Sequence, residues 1–236
     1  MSHALITGGS LGLGRALAFE LAHRGWTLTI DARHEEPLAR TAQGLSELTA
    51  VHAVAGDIAD AAHREQLVAV AAAAGRLSLV INNASDLGGS PLPRLRELQA
   101  AAYEQVLRTN VVAPQQLIRA LLPYLEPQAM IINVSSDAGV DHYESWGGYG
   151  SSKAALDHQT VTWAVEEPDF IWYSFDPGDM RTAMHQAAYP GEDISDRAEP
   201  ETVAPIVVAL ISSGLPSGRY SAAEVAASLA ETARSE

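Results

Sequence analysis

Ala4-Leu5-Ile6-Thr7-Gly8-Gly9-Ser10-Leu11-Gly12-Leu13-Gly14-Arg15 is the stretch that decides the fold. Ala4-Leu5-Ile6 reads as a short buried strand. From Arg15 to His23, the apolar residues Ala16, Leu17, Phe19 and Leu21 fall in helical register, and Gly25 is a suitable C-terminal cap. Between strand and helix lies a glycine-rich turn. Glycines there permit a tight turn and let the backbone approach a pyrophosphate closely. The start of the helix that follows offers unpaired N–H groups and a partial positive charge. Glycines alone also build plain turns, so the strand before and the helix after are what favour a nucleotide.

Working outward, the same alternation continues. Residues 26–30, 50–55, 77–81, 130–134 and 170–175 read as strands. Helical patterns run through 67–74, 97–125, 149–165 and 203–210. A short seventh strand fits around 219–221. This predicts an α/β fold: a Rossmann-type doubly wound parallel sheet in three αβα layers, with residues 1–236 as a single dinucleotide-binding and catalytic domain. Right-handed crossovers place every strand's C-terminal end on one edge, where ligands bind in such sheets.

The totals agree. The chain has 236 residues, 47% of them apolar, an ordinary globular value. No run approaches the roughly 20 apolar residues of a membrane span. Met1-Ser2-His3-Ala4-Leu5-Ile6 reads as the first strand and not as a signal peptide. There are no cysteines, which rules out disulfides and thiolate chemistry and points to the cytoplasm. The formal net charge of -14 disfavours nucleic acid and anionic membranes as partners. A phosphate-bearing cofactor would therefore need a local electropositive feature. No metal-ligand spacing is evident, and no metal is expected.

The turn is spaced TGxxxGxG, which resembles the classical short-chain dehydrogenase/reductase family. More of that pattern follows in order. Asn82-Asn83-Ala84 ends the fourth strand, and Asn110 lies in Thr109-Asn110-Val111. Ser135-Ser136 closes the fifth strand, Tyr149-Gly150-Ser151-Ser152-Lys153 gives YxxxK, and Pro177 to Thr182 gives PGxxxT. The matches run from about residue 4 to 182. Ser136 stands thirteen residues before Tyr149, the family's usual spacing, and takes the catalytic assignment over Ser135. The resemblance implies an NAD(P)-dependent oxidoreductase moving a hydride between a nicotinamide and a small alcohol/carbonyl substrate, with Asn110, Ser136, Tyr149 and Lys153 as its catalytic set. It implies cofactor contacts from Gly8, Ser10, Leu11, Gly12, Leu13, Gly14, Asp57, Ile58, Asn83, Ala84, Tyr149, Lys153, Pro177, Gly178 and Thr182.

The chemistry explains these residue types. Hydride transfer to a carbonyl leaves an alkoxide that must take a proton. A tyrosine hydroxyl can donate it, and a nearby ammonium would lower the phenol pKa from about 10. Tyr149 and Lys153 are four residues apart, on one face of a helix. Ser136 can stabilise the developing charge. By resemblance, Lys153 also holds the nicotinamide ribose and Asn110 supports a water-linked proton relay. Asn82 and Asn83 are expected to bond neighbouring backbone beside the cofactor.

Cofactor preference should be set after the second strand, in Ile30-Asp31-Ala32-Arg33-His34. Ala32 falls at the acidic position of NAD users and Arg33 at the basic position of NADP users, with Asp31 one residue early. This favours NADP(H) over NAD(H), the other reading of Arg33 being a solvated loop charge. Asp57 resembles the family's adenine-contacting aspartate, or else begins a turn.

The sequence departs from the pattern at Ser85, which replaces the glycine of NNAG, and at Tyr173, where an asparagine is usual. The chain end lacks the usual glycine-rich strand signature, which leaves a homo-oligomer, dimer or tetramer, open. Residues 139–146 and a lid at about 184–200 should border the substrate, with Ser136, His142, Tyr143, Trp146, Tyr149, His185 and Tyr189 around it. The lid acids Glu192, Asp193, Asp196 and Glu199 would discourage strongly anionic substrates. Two alternatives stand beside the reductase. One is a nucleotide-sugar epimerase or dehydratase, for which the chain is short. The other is a non-catalytic NADP(H)-binding redox sensor, which would be expected to lose the Tyr or the Lys.

Overall fold

The computed structural model describes residues 2–235. Its strands are β1 (His3–Ile6), β2 (Thr27–Ala32), β3 (Val51–Ala55), β4 (Leu77–Asn82), β5 (Leu125–Val134), β6 (Ile171–Asp176) and β7 (Gly218–Ser221). All pair in parallel, in the order β3-β2-β1-β4-β5-β6-β7. The order reverses between β1 and β4, and a doubly wound sheet binds ligands at that switch.

Strand alternation divides the core between two layers of helices. Ala4, Ile6, Tyr173 and Phe175 face a cluster with Leu17 and Leu21 of α1 (Gly12–His23) and Val203 and Val207 of α8 (Pro200–Ser212). Leu5 and Trp172, one residue out of step, face the other layer. There they meet Leu67 of α3 (Ala61–Ala74) and Leu117 and Leu121 of α5 (Ala113–Leu121). Fully buried Trp172 stacks on Trp163 at 5.4 Å. Among the described residues, no helix is long and apolar enough to cross a membrane.

Two helices of twelve or more residues lie outside the sequence patterns. One is α2 (Glu35–Ser46), which buries only Leu38, Thr41 and Leu45 and so shows little apolar periodicity. Its Pro37 sits in the first turn, where the missing N–H costs nothing. The other is α9 (Ala222–Ser235). The helix expected over 97–125 is interrupted. It is made of α4 (Ala100–Leu107), a π turn at Arg108–Val112, α5 and a short 3-10 turn. Pro114 supplies the reason. It has no N–H, so the carbonyl four residues earlier, that of Asn110, loses its α-helical partner.

The candidate serine and tyrosine arrive on separate elements. Ser136 follows β5 and caps a 3-10 turn at Asp137–Gly139. Tyr149 and Lys153 lie in the first two turns of α6 (Gly147–Glu166). A Cβ on Gly150 would lie 2.4 Å from the Ala138 carbonyl oxygen, so only glycine lets the helix and that turn meet. The expected lid contains α7 (Ala183–Ala188) and is tied back by a bridge from Ala198 to Met180.

Candidate functional site

One cavity of about 680 Å³ runs along the C-terminal edge of the sheet, from the glycine turn and Arg33 to Tyr149, His185 and Tyr189. At its first end the turn is shaped for close approach. Gly8 has φ +67°, and its added Cβ would lie 2.9 Å from Asn83. Gly14 tolerates even less, with a Cβ position 2.3 Å from the Gly8 carbonyl oxygen. Asn83 Nδ2 donates to the Thr7 and Gly8 carbonyls at 3.0 and 3.2 Å. Thr7 Oγ1 accepts from the Asn83 and Ala84 amides, both at 3.0 Å. Asn82 and Asn83 therefore hold backbone and neighbouring strands, Asn82 bonding Asn133 across β4 and β5 at 2.8 Å. A cradle that a Cβ would fill, opening onto the start of α1, fits a dinucleotide pyrophosphate.

Asp31 borders the cavity but is committed to protein partners. Its Oδ1 accepts from the Gly8 amide and its Oδ2 meets His63 Nε2, each at 2.9 Å, and it is 1% exposed. Burial raises its pKa, while His63 and the Gly8 amide pull it down. This carboxylate clamps the turn and is not free for a 2′-hydroxyl. Buried Ala32 offers no polar side chain. Arg33 stands half exposed at the rim, with Asp86 at 4.0 Å. Asp57 and Ile58 line the same end, Asp57 also bonding the Ala59 amide at 2.9 Å as a turn residue.

Lys153 is 2% exposed. Its Nζ donates to the Val134 carbonyl at 2.7 Å and lies 5.4 Å from the Tyr149 ring centre. Burial lowers its pKa to about 8, with Asp157 pulling the other way. The phenol of Tyr149 is buried, and burial raises its pKa, with hydrogen bonds to Ser85 and Ser136 opposing. The expected depression of the phenol pKa by the ammonium is thus corrected: desolvation raises it, so the side chain is a neutral phenol at neutral pH. An unfolded lysine near 10.5 binds its proton more readily than folded Lys153, so stability should rise with pH between about 8 and 10.5. That gain is about 3 kcal/mol at about 1.4 kcal/mol per pH unit. Urea melts at intervals across this range should show the rise in the wild type and lose it in Lys153→Met.

Asn110 is 1% exposed. Its Nδ2 donates to the Asp86 carbonyl and to Ser152 Oγ, each at 2.9 Å. Its Oδ1 accepts from the Asp86 amide at 2.8 Å and Ser85 Oγ at 3.2 Å. An amide has about that much capacity, so no side-chain bond is left for a water. Asn110 fastens the loop after β4 to α6 across the π turn.

At the far end, Trp146 meets Tyr149 edge-on at 5.7 Å and Tyr189 at 5.9 Å, and Tyr189 meets His185 at 4.9 Å. Of the expected substrate neighbours, Ser136, Trp146, Tyr149 and His185 line the cavity. His142 does not. It is exposed on the turn outside, and the next residue, Tyr143, faces inward with its hydroxyl donating to Asp137 Oδ2 at 2.9 Å. The lid acids Glu192, Asp193 and Asp196 are also absent from the lining, whereas Asp137, Asp176 and Asp179 are present. Thr182 caps α7 through the His185 amide and touches the Gly12 position, joining both ends of the cavity.

Residues 2–193 match the family described as short chain dehydrogenase. The chain belongs to the short-chain dehydrogenase family. These oxidoreductases share the sheet described above. This short-chain dehydrogenase is 34% identical over 167 residues to the short-chain dehydrogenase/reductase FrzI of Cladobotryum sp, covering 69% of this chain and 63% of FrzI. The match thus spans less than two thirds of that relative. Sepiapterin reductase of Xenopus laevis is 33% identical over 198 residues, covering 78% of this chain and 75% of the relative. A Shigella flexneri structure in complex with NADP superposes with a TM-score of 0.85 at 28% identity, over 94% of this chain and 96% of the other.

Several polar residues of the site were missed in the sequence. Ser85 does more than change the space, since it lines the cavity with Tyr149 and donates to Asn110 Oδ1 at 3.2 Å. Asp137 directly follows Ser136 and accepts its hydroxyl proton at 3.0 Å, an adjacency that was visible. Arg219 of β7 bonds the Ser136 carbonyl at 3.1 Å, Asp157 at 3.1 Å and Asp176 at 3.2 Å. No local pattern marks an arginine so far from the serine in the chain.

Proposed function

We propose that this short-chain dehydrogenase moves a hydride between NADP(H) and a small carbonyl/alcohol substrate, with Tyr149 exchanging the proton. The observation that carries this is the buried Tyr149 side chain, which lines one cavity with Ser136, Ser85 and the glycine cradle. The nicotinamide, when bound, supplies or accepts the hydride. Ser136 and Tyr149 then converge on the carbonyl oxygen, Ser136 stabilising charge once its hydroxyl turns from Asp137 and Tyr149 delivering the proton. The buried Lys153 ammonium offers two more donors to a ribose and steadies a phenolate once the proton has left. Any relay through Asn110 would use its backbone carbonyl, freed of its α-helical partner by Pro114.

The test is transfer of deuterium from 4-deuterated NADPH to a panel of aldehydes and ketones, read in the product alcohols. No transfer to any member sinks the reading.

The preference for NADP(H) is supported by Arg33 at the rim, by Asp31 being committed to Gly8 and His63, and by the NADP complex of the similar structure. Arg33→Ala is expected to weaken NADPH binding about 30-fold, the loss of a charge-assisted contact of about 2 kcal/mol, and to leave NADH nearly unchanged. Titration of both cofactors checks it, and an equal loss for both removes Arg33 from the 2′ site.

A further inference from the structure

We propose that the substrate carries a protonated amine, held between the Asp137 carboxylate and the aromatic wall of Tyr149, Trp146, Tyr189 and His185. This rests on the carbonyl-reducing reading above and narrows its substrate class. Asp137 accepts from Ser136 Oγ at 3.0 Å, the Ala138 amide at 2.8 Å and the Tyr143 hydroxyl at 2.9 Å. All of these partners are neutral donors. The neighbouring carboxylates are matched: Asp176 meets Arg219 at 3.2 Å, and Asp179 meets Arg197 at 3.3 Å. A carboxylate has about four acceptor sites, so Asp137 keeps at least one for a ligand.

A second observation is independent of the acids. The His185 side chain is only 9% exposed, lines the cavity, and its buried Nε2 has no hydrogen-bond partner. Its Nδ1 lies 3.7 Å from the Asp179 carboxylate, and in the tautomer with the proton on Nδ1 the Nε2 is an acceptor. Two acceptors, one of them charged, thus stand beside aromatic rings spaced 4.9 to 5.9 Å apart. The cations nearby are engaged, Arg181 with Glu199 and Arg197 with Asp179 and Asp196. An anionic substrate would face Asp137 with Arg181 and Arg197 already paired to carboxylates. An alcohol would bring one donor. An ammonium brings three donors and no acceptor, and its charge suits ring faces.

Calorimetric titration of the full chain with NADP+ present compares phenethylammonium with phenethyl alcohol. The ammonium should bind roughly tenfold tighter or more, and Asp137→Asn should remove most of that ratio. His185→Leu should lower the ratio as well, and it replaces Asp137→Asn should the latter fail to fold. Equal binding of the two ligands, or a ratio untouched by either variant, overturns the proposal. Turnover of α-aminoacetophenone and its isostere propiophenone separates this inference from the reading beneath it. Selective ammonium binding without reduction of either ketone sinks the reductase and keeps the anchor. Reduction of propiophenone with equal ligand binding does the reverse.

Discussion

Tyr149→Phe is expected to lower kcat/KM for NADPH-dependent ketone reduction by about 10³-fold, within the range typical of losing a general acid. The alkoxide formed by hydride transfer needs a proton, and the buried phenol is the acid placed to give it. Its raised pKa keeps that proton available at neutral pH and above. Phenylalanine keeps the ring that Trp146 meets edge-on and Lys153 overlies, so the fold and NADPH affinity should change little. Single-turnover rates and NADPH titration on the same preparation check both halves. An unchanged rate would remove Tyr149 from the chemistry. A second expectation follows from the Lys153 ammonium. Its pKa of about 8 should place an alkaline fall in kcat/KM near that pH, as the charge steadying the phenolate is lost.

Gly14→Ala is expected to cost about 3 kcal/mol of stability, at the upper end for overpacking, and to abolish measurable NADPH binding. The added Cβ would lie 2.3 Å from the Gly8 carbonyl oxygen and 2.5 Å from Asn83 Nδ2. One of these neighbours is backbone. The other is a side chain already bonded to the Thr7 and Gly8 carbonyls. Relief would require the turn to move off α1, and with it the Gly8 amide that Asp31 holds. The cradle and the helix start would then no longer share a focus. Thermal melts with and without NADPH would show a lowered Tm and no shift on adding cofactor. A normal shift would mean that the turn has room the structure does not show.

Much of the fold was legible because its signals are local. β1, the glycine turn and α1 form one continuous stretch, and Tyr149 and Lys153 are one helical turn apart. The interruption at Asn110 was legible in principle from Pro114, but the long apolar pattern of 97–125 hid it. The polar stretch of α2 was silent because only three of its side chains reach the core. At the site, His142 and Tyr143 are adjacent, and spacing could not say which one faces inward. The sign of the Tyr149 pKa shift is not legible in the sequence for a related reason. Spacing shows that Lys153 is near, but the desolvation that raises the pKa depends on the whole enclosing wall.

What the sequence determined by itself was the doubly wound sheet, the family, and the order of Ser136, Tyr149 and Lys153, all carried by periodicity and short fixed spacings. Tertiary structure alone decided that Asp31 clamps Gly8, that Asn110 is saturated by Asp86, Ser85 and Ser152, and that Arg219 reaches the Ser136 carbonyl. Those contacts join residues 23 to 83 positions apart. Their geometry follows from how strands and helices pack, and burial then sets which carboxylate is paired, which phenol keeps its proton, and which histidine nitrogen is left without a partner.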